Sequence, residues 1–202
     1  LIDDPAYPSD KKNFVATSQV YGGTFQQFAE RKDKEQHIEW RKVINSNDMN
    51  EWESLIDENT RFLYGEMPSN PGLAFFDLKK VADIAHKNGI PFIVDATVAT
   101  PALMRPIEFG ADIVIQSVTK TLATSGFSIA GAVIAKNNIT CKLSNEILKA
   151  NFCGYLKTLP NRDNGPNISP MNAIMALNDI RTIRSRMDIC SSSTMQIAHW
   201  IE

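Results

Sequence analysis

Apolar residues recur along the middle of the chain in two alternating rhythms. Residues 60–67 (TRFLYGEM), 90–94 (IPFIV), 111–117 (ADIVIQS) and 129–135 (IAGAVIA) are short apolar runs and predict strands. The breaker Pro68-Ser69-Asn70-Pro71 ends the first of them. Asp77 then stands where an N-cap belongs, with Leu78, Val81, Ala82 and Ala85 on one helical stripe and Asn88-Gly89 closing it. Residues 106–110 form a second, shorter helical segment. Strands apolar throughout and separated by helices predict an α/β fold with a parallel sheet covered on both faces. Right-handed crossovers collect the strand C-termini along one edge, where ligands bind in open α/β sheets. Asp95 and Lys120 fall just past two of those ends.

The rest of the chain has a different texture. Residues 144–168 are turn-rich, with Pro160, Asn161, Asp163, Asn164, Gly165, Pro166 and Asn167 close together. Ser169-Pro170 opens a long helical pattern in which Ile174, Leu177, Ile180, Ile183 and Met187 recur at three- or four-residue spacing. That pattern still runs at Ile201-Glu202, so the chain is expected to stop inside a helix. Met171, Met175 and Met187 on it read as core or interface filler. There are no internal repeats and no low-complexity segment.

Composition narrows the function classes. With 202 residues, 43% hydrophobic and 22% charged, the chain sits in the ordinary globular range and can bury a substantial core. A formal net charge of −2 offers no positive field for nucleic acid or an anionic membrane. The basic stretch from Arg181 to Arg186 reads as a solvated helix face. Cys141, Cys153 and Cys190 are widely spaced, with no CxxC and no Cys/His pair at metal spacing, so reduced thiols in a cytoplasmic protein without a bound metal are expected. His37, His86 and His199 are scattered. No apolar run approaches the roughly 20 residues of a membrane span. The start, Leu1-Ile2-Asp3-Asp4-Pro5, has neither part of a signal peptide and no Met, which is consistent with a fragment.

Four features carry candidate chemistry, and each has a bland reading. Ser117-Val118-Thr119-Lys120 sets two hydroxyls and a lysine directly after a buried strand, where a solvated turn is the ordinary alternative. Asp95, followed by Ala96-Thr97, reads as a cap or salt-bridge partner, or as the counter-ion of a cationic ring nitrogen. At about 4 Å and an effective dielectric near 20, such a pair interacts by roughly 4 kcal/mol. Asn70 lies between two prolines as a turn residue. Tyr21-Gly22-Gly23-Thr24 is a turn with an aromatic, or a ring that can lie flat on a ligand because the glycines allow close approach.

Taken in order, Tyr-Gly-Gly-Thr-Phe, Glu-Met-Pro-Ser-Asn-Pro, Val-Asp-Ala-Thr and Gly-Ala-Asp-Ile-Val-Ile-Gln-Ser-Val-Thr-Lys resemble the Cys/Met-metabolism family of pyridoxal-phosphate enzymes. That family includes cystathionine synthases and lyases, methionine gamma-lyase and O-acetylhomoserine sulfhydrylases. The resemblance spans residues 21–135 and resumes at 169–187. It implies an aminotransferase-like (fold type I) domain with a mainly parallel sheet of the seven-stranded type. That large domain would cover residues 1–180 without its N-terminal part, and residues 181–202 would begin a smaller C-terminal domain. The resemblance further implies a Schiff base between pyridoxal 5'-phosphate and Lys120, which later moves protons. Asp95 would pair with the pyridine nitrogen and Asn70 lie beside the ring hydroxyl. Tyr21 would stack on the ring and take part in proton transfer. Ser117 and Thr119 would bind the phosphate, and Thr97 would pack near the ring. A homotetramer of dimers with shared active sites is implied as well.

Some of the family pattern is altered or missing. After the lysine, Ala123-Thr124-Ser125-Gly126-Phe127-Ser128-Ile129 replaces a segment that typically holds Gly and His, and residues 161–167 read as an insertion. The family's phosphate loop, the Tyr/Arg contacts from a neighbouring subunit and the C-terminal arginine for the substrate carboxylate fall outside these residues. An excerpted chain is therefore expected. The reaction implied is gamma-replacement on O-acetylhomoserine or a related homoserine ester, with sulfide or cysteine as nucleophile. The alternatives are a gamma- or beta-lyase acting on methionine, cystathionine or homocysteine, and an inactive scaffold or regulatory homologue.

Overall fold

A computed structural model describes residues 12–126, 129–142 and 145–202. The N-terminal pentapeptide, Phe127 and Ser128 of the segment after the lysine, and Ser144 at the edge of the turn-rich stretch lie outside the described residues. Six strands form one sheet in the order β2-β1-β3-β4-β5-β6. They are β1 (Asn13–Thr17), β2 (Glu39–Val43), β3 (Thr60–Glu66), β4 (Phe92–Asp95), β5 (Ile113–Ser117) and β6 (Gly131–Ala135). The first five run parallel, and β6 runs antiparallel to β5. The sheet is therefore mainly parallel, as the patterning predicts, with β6 as a correction to the expectation of one more parallel strand. A parallel neighbour needs a crossover, usually a helix laid over the sheet. Between β5 and β6 the one helical element among the described residues is the short turn Val118–Leu122, too short for a crossover, and the chain returns alongside in the opposite direction.

The helices are α1 (Gly22–Gln26), continued in wider π turns over Gln27–Glu35, then α2 (Met49–Ser54), α3 (Leu78–Lys87), α4 (Thr100–Leu103), α5 (Glu146–Ala150), α6 (Phe152–Thr158), α7 (Pro160–Asn164), α8 (Pro170–Ile180) and α9 (Ile183–Ile201). Asp77 caps α3, its Oδ1 accepting the Lys80 N–H at 3.1 Å. Gly89, at φ +67°, takes the left-handed turn that ends the helix. The turn-rich stretch forms α5, α6 and α7 rather than open loop. The long C-terminal helical pattern is two helices, not one. The Asp179 carbonyl, which would accept from residue 183 in a continuous helix, instead accepts from Thr182 Oγ1 at 3.0 Å and Arg186 Nη2 at 2.9 Å. Side-chain donors that take a helical acceptor in this way break the ladder.

Alternate residues of each strand face opposite layers. Val15, Leu63, Phe92, Val94 and Val114 pack with Trp52 of α2 and Val81, Ala82 and Ala85 of α3. Phe14, Phe62, Tyr64, Ile93 and Ile113 pack on the other face with Phe28, Leu148 and Phe152. Burial on both faces is why these strands are apolar at odd and even positions alike. Each buried Phe or Leu contributes about 1.5–3 kcal/mol. Because β2 and β3 lie on opposite sides of β1, the strand order reverses there. Such a reversal opens a crevice at the strand C-termini. Among the described residues no helix is long and apolar enough to cross a membrane, and no group of three His, Cys, Asp or Glu is placed to hold a metal ion.

Candidate active site

Four neighbouring strand ends deliver the polar side chains. Beyond β1 the chain reaches Tyr21, the residue that precedes α1. Strand β3 ends on Glu66 and leads to Asn70. Strand β4 ends on Asp95, followed by Thr97. Strand β5 ends on Ser117, and Lys120 sits in the turn after it, where its φ of −88° and ψ of −134° interrupt the helical path. Tyr21, Glu66, Asn70, Asp95, Thr97, Val98, Ser117, Lys120 and Thr121 line one cavity of about 310 Å³. That volume falls at the lower end of the range typical of small-molecule sites.

Asp95 is held from two sides. Its Oδ1 accepts the Thr97 N–H at 2.9 Å and the Thr97 hydroxyl at 2.6 Å. The same Thr97 oxygen accepts the Ser117 N–H at 2.9 Å, so Thr97 ties the end of β4 to the end of β5. Beneath them, buried Tyr64 turns its hydroxyl toward Thr24 and Asp95. Burial, then the negative charges of Asp95 and Glu66, push that hydroxyl well above the usual phenol range, so it stays a neutral donor.

Lys120 is exposed at the mouth of the cavity, its Nζ 6.0 Å from the centre of the Tyr21 ring. The turn beneath it is fixed from behind by the C-terminal helices. Arg186 donates to the carbonyls of Thr121 at 2.7 Å and Leu122 at 3.3 Å. Asp179 accepts from the amide and hydroxyl of Ser125 at 3.0 and 2.7 Å. Val118, Leu122 and Ala123 pack on Ala176 of α8. A lysine on a turn pinned at both flanks can reach into the cavity while its backbone stays put.

Of the residues the sequence singles out, Tyr21, Asn70, Asp95, Thr97, Ser117 and Lys120 share this cavity, and Thr119 does not line it. The Thr119 hydroxyl instead exchanges hydrogen bonds with the backbone of Ala130, accepting its N–H at 2.9 Å and donating to its carbonyl at 3.2 Å. Sequence reasoning missed Glu66, Val98 and Thr121. For Glu66 a signal existed, since a carboxylate ends an otherwise apolar strand just before the Pro-Ser-Asn-Pro turn.

Comparison with known proteins identifies the family. A family model described as Cys/Met metabolism PLP-dependent enzyme matches residues 8–202. An O-succinylhomoserine sulfhydrylase of Pseudomonas aeruginosa is 35% identical over 155 residues, covering 77% of this chain and 35% of that protein. A cystathionine beta-lyase of Coxiella burnetii is 31% identical over 188 residues, covering 93% of this chain and 45% of its own length. Among solved structures, an O-acetylhomoserine (thiol)-lyase from Campylobacter jejuni with N'-pyridoxyl-lysine-5'-monophosphate superposes with a TM-score of 0.75 at 28% identity, over 85% of this chain and 47% of that one. The chain thus spans less than half the length of each relative. A match over nearly all the described residues, on a fold that brings the four motifs to one sheet edge, settles the assignment: the chain belongs to the Cys/Met metabolism family of pyridoxal-phosphate-dependent enzymes.

Proposed function

We propose that Lys120 binds pyridoxal phosphate covalently and that the protein replaces the gamma substituent of a homoserine ester with sulfide or cysteine. The observation that carries this reading is the pairing of a primary amine and a carboxylate, Lys120 and Asp95, across one cavity that also holds an aromatic ring, a carboxamide and two hydroxyls. This donor set fits the cofactor. The amine suits its aldehyde, Asp95 its ring nitrogen, Asn70 its ring hydroxyl, Tyr21 its flat face and Ser117 its phosphate. When bound, the cofactor withdraws electrons from the substrate's alpha carbon.

The protein's own groups have distinct tasks. Asp95 presents its carboxylate to the cavity, oriented by the two bonds from Thr97. Tyr21 closes one side, its ring centre 6.0 Å from Lys120 Nζ. Lys120 Nζ is the group on hand to carry a proton between neighbouring carbons of the substrate. Thr119 acts on the backbone of the turn, so we assign the phosphate contact to Ser117 and leave Thr119 the role of holding β6 to the lysine turn.

The purified protein supplied with pyridoxal phosphate should show the visible absorption of a lysine-bound cofactor. Lys120→Ala should abolish it. A band that persists unchanged in that variant refutes the reading. Product analysis with O-acetylhomoserine then decides the reaction. Thioether or thiol that forms only with added sulfide or cysteine marks replacement, whereas ammonia and a keto acid formed without either mark a lyase.

A further inference from the structure

The cavity contains a second carboxylate. Glu66 closes β3 directly opposite Asp95 in the sheet register and is only 5% exposed. Both of its oxygens are used, and by different segments. Oε2 accepts the Tyr21 N–H at 2.7 Å, and Oε1 accepts the Asn70 N–H at 2.9 Å. One segment follows β1 and the other follows β3, and besides this carboxylate they are joined by the weaker bond from Ser69 Oγ to Gln19 Oε1 at 3.3 Å. We infer that Glu66 is a positioning residue, whose ionised carboxylate bolts Tyr21 and Asn70 to the sheet edge so that ring and carboxamide meet the cofactor in register.

The chemistry requires the ionised form. A protonated carboxyl would turn one oxygen into a donor facing an N–H, leaving two donors opposed in a buried place. Burial above all, with the charge of Asp95, holds the carboxyl above its usual range, and the amides of Tyr21 and Asn70 pull it only part of the way back. Charge-assisted bonds to backbone amides are shorter and stronger than neutral ones, which suits a clamp at a loop root. A second negative charge beside Asp95 would be a poor choice for stability alone. It makes sense where a cationic group is to be bound next to it.

The inference rests on the proposed function, and its test separates the two. Glu66→Gln keeps size and shape but sets an amide NH₂ against one of the two N–H groups. Expected is a protein with wild-type far-UV circular dichroism that releases pyridoxal phosphate about ten-fold more readily on dialysis, the equivalent of one lost charge-assisted bond. The circular dichroism of its visible band should also change, because that signal reports how the cofactor sits against Tyr21. Glu66→Asp, which retains the charge but reaches only one amide, should fall between. A Glu66→Gln protein with wild-type cofactor retention and an unchanged visible band overturns the inference and leaves the Lys120 reading standing. Absence of the band in the wild type sinks the reading first. Failure of both variants to fold assigns Glu66 to the fold and overturns the positioning role.

Discussion

Asp112, at the start of β5, offers the sharpest test of how the sheet is anchored. Its side chain is fully buried and binds four groups. Oδ1 accepts from Lys136 Nζ at 2.7 Å and the Thr140 N–H at 2.9 Å. Oδ2 accepts from His86 Nε2 at 2.8 Å and the Phe92 N–H at 2.9 Å. Burial opposes ionisation, but Lys136, the amides of Phe92 and Thr140, and His86 outweigh it and hold the carboxyl below its usual range. Asp112→Asn removes the charge and points its NH₂ either at Lys136 Nζ and the Thr140 N–H or at the Phe92 N–H. Breaking a buried pair by removing one partner costs roughly 3–5 kcal/mol. Side-chain exposures of 28% for Lys136 and 29% for His86 let solvent screen their share, which favours the lower figure, about 3 kcal/mol. For a chain of this size that is a fall in melting temperature of roughly 6–12 °C. Because the folded carboxyl titrates lower than the unfolded one, its contribution is complete above the ordinary value near 3.8 and is lost as pH falls through the folded value. The gap between wild type and variant should therefore be full at pH 7 and narrow in acid below about pH 4. Urea unfolding and thermal melts followed by far-UV circular dichroism measure both effects. A variant within about 1 kcal/mol of wild type at pH 7, or a gap that widens in acid, refutes the reasoning.

Two further substitutions probe the site and its scaffold separately. Thr97→Val keeps the shape but loses the hydroxyl bond to Asp95 and the acceptor for Ser117; the retained Thr97 N–H limits the damage to a cofactor affinity about ten-fold weaker, read by titration of the apoprotein. Equal affinity would mean that Asp95 needs no such hold. Asp77→Ala removes the α3 cap and should cost about 1 kcal/mol in urea unfolding while leaving the visible band unchanged.

What the sequence disclosed and what it concealed follow from the same physics. Strands β3 to β5 stand out because burial on both faces makes them largely apolar runs, and β6 is apolar too although Val133 and Ile134 are exposed. Edge strand β2 does not, since Trp40 and Val43 are its only buried residues and Glu39 and Lys42 face solvent. Strand β1 opens on Asn13 and ends on Thr17, so its apolar run is only Phe14-Val15-Ala16, beside segments with no helical stripe. Residues 146–164 misled because turn formers also start helices. Asn145 and Asn151 accept the N–H groups of Leu148 and Gly154 as N-caps, and Pro160 opens α7. At the site, the order of the motifs was enough to select Tyr21, Asn70, Asp95, Ser117 and Lys120. Glu66 escaped because its partners are backbone amides 45 and 4 residues away, and an amide carries no residue-type signature.

That difference between side-chain and backbone partners explains how one strand serves both structure and chemistry. The start of β5 is fixed by Asp112, which draws in side chains from α3 and the segment after β6 and amides from β4 and that same segment. The end of β5 carries Ser117 and the lysine turn, where the fixing bonds come from Thr97, Arg186 and Asp179 and reach mostly backbone atoms. Backbone anchoring leaves the side chains of Ser117 and Lys120 without a hydrogen-bonding partner among the described residues, and both line the cavity. Thr119, by contrast, spends its hydroxyl on Ala130. Along this single segment, a hydroxyl or amine with no hydrogen bond among the described residues marks the cavity-lining positions more sharply than residue type alone, since Thr119 and Ser117 offer the same chemistry and only one of them lines the cavity.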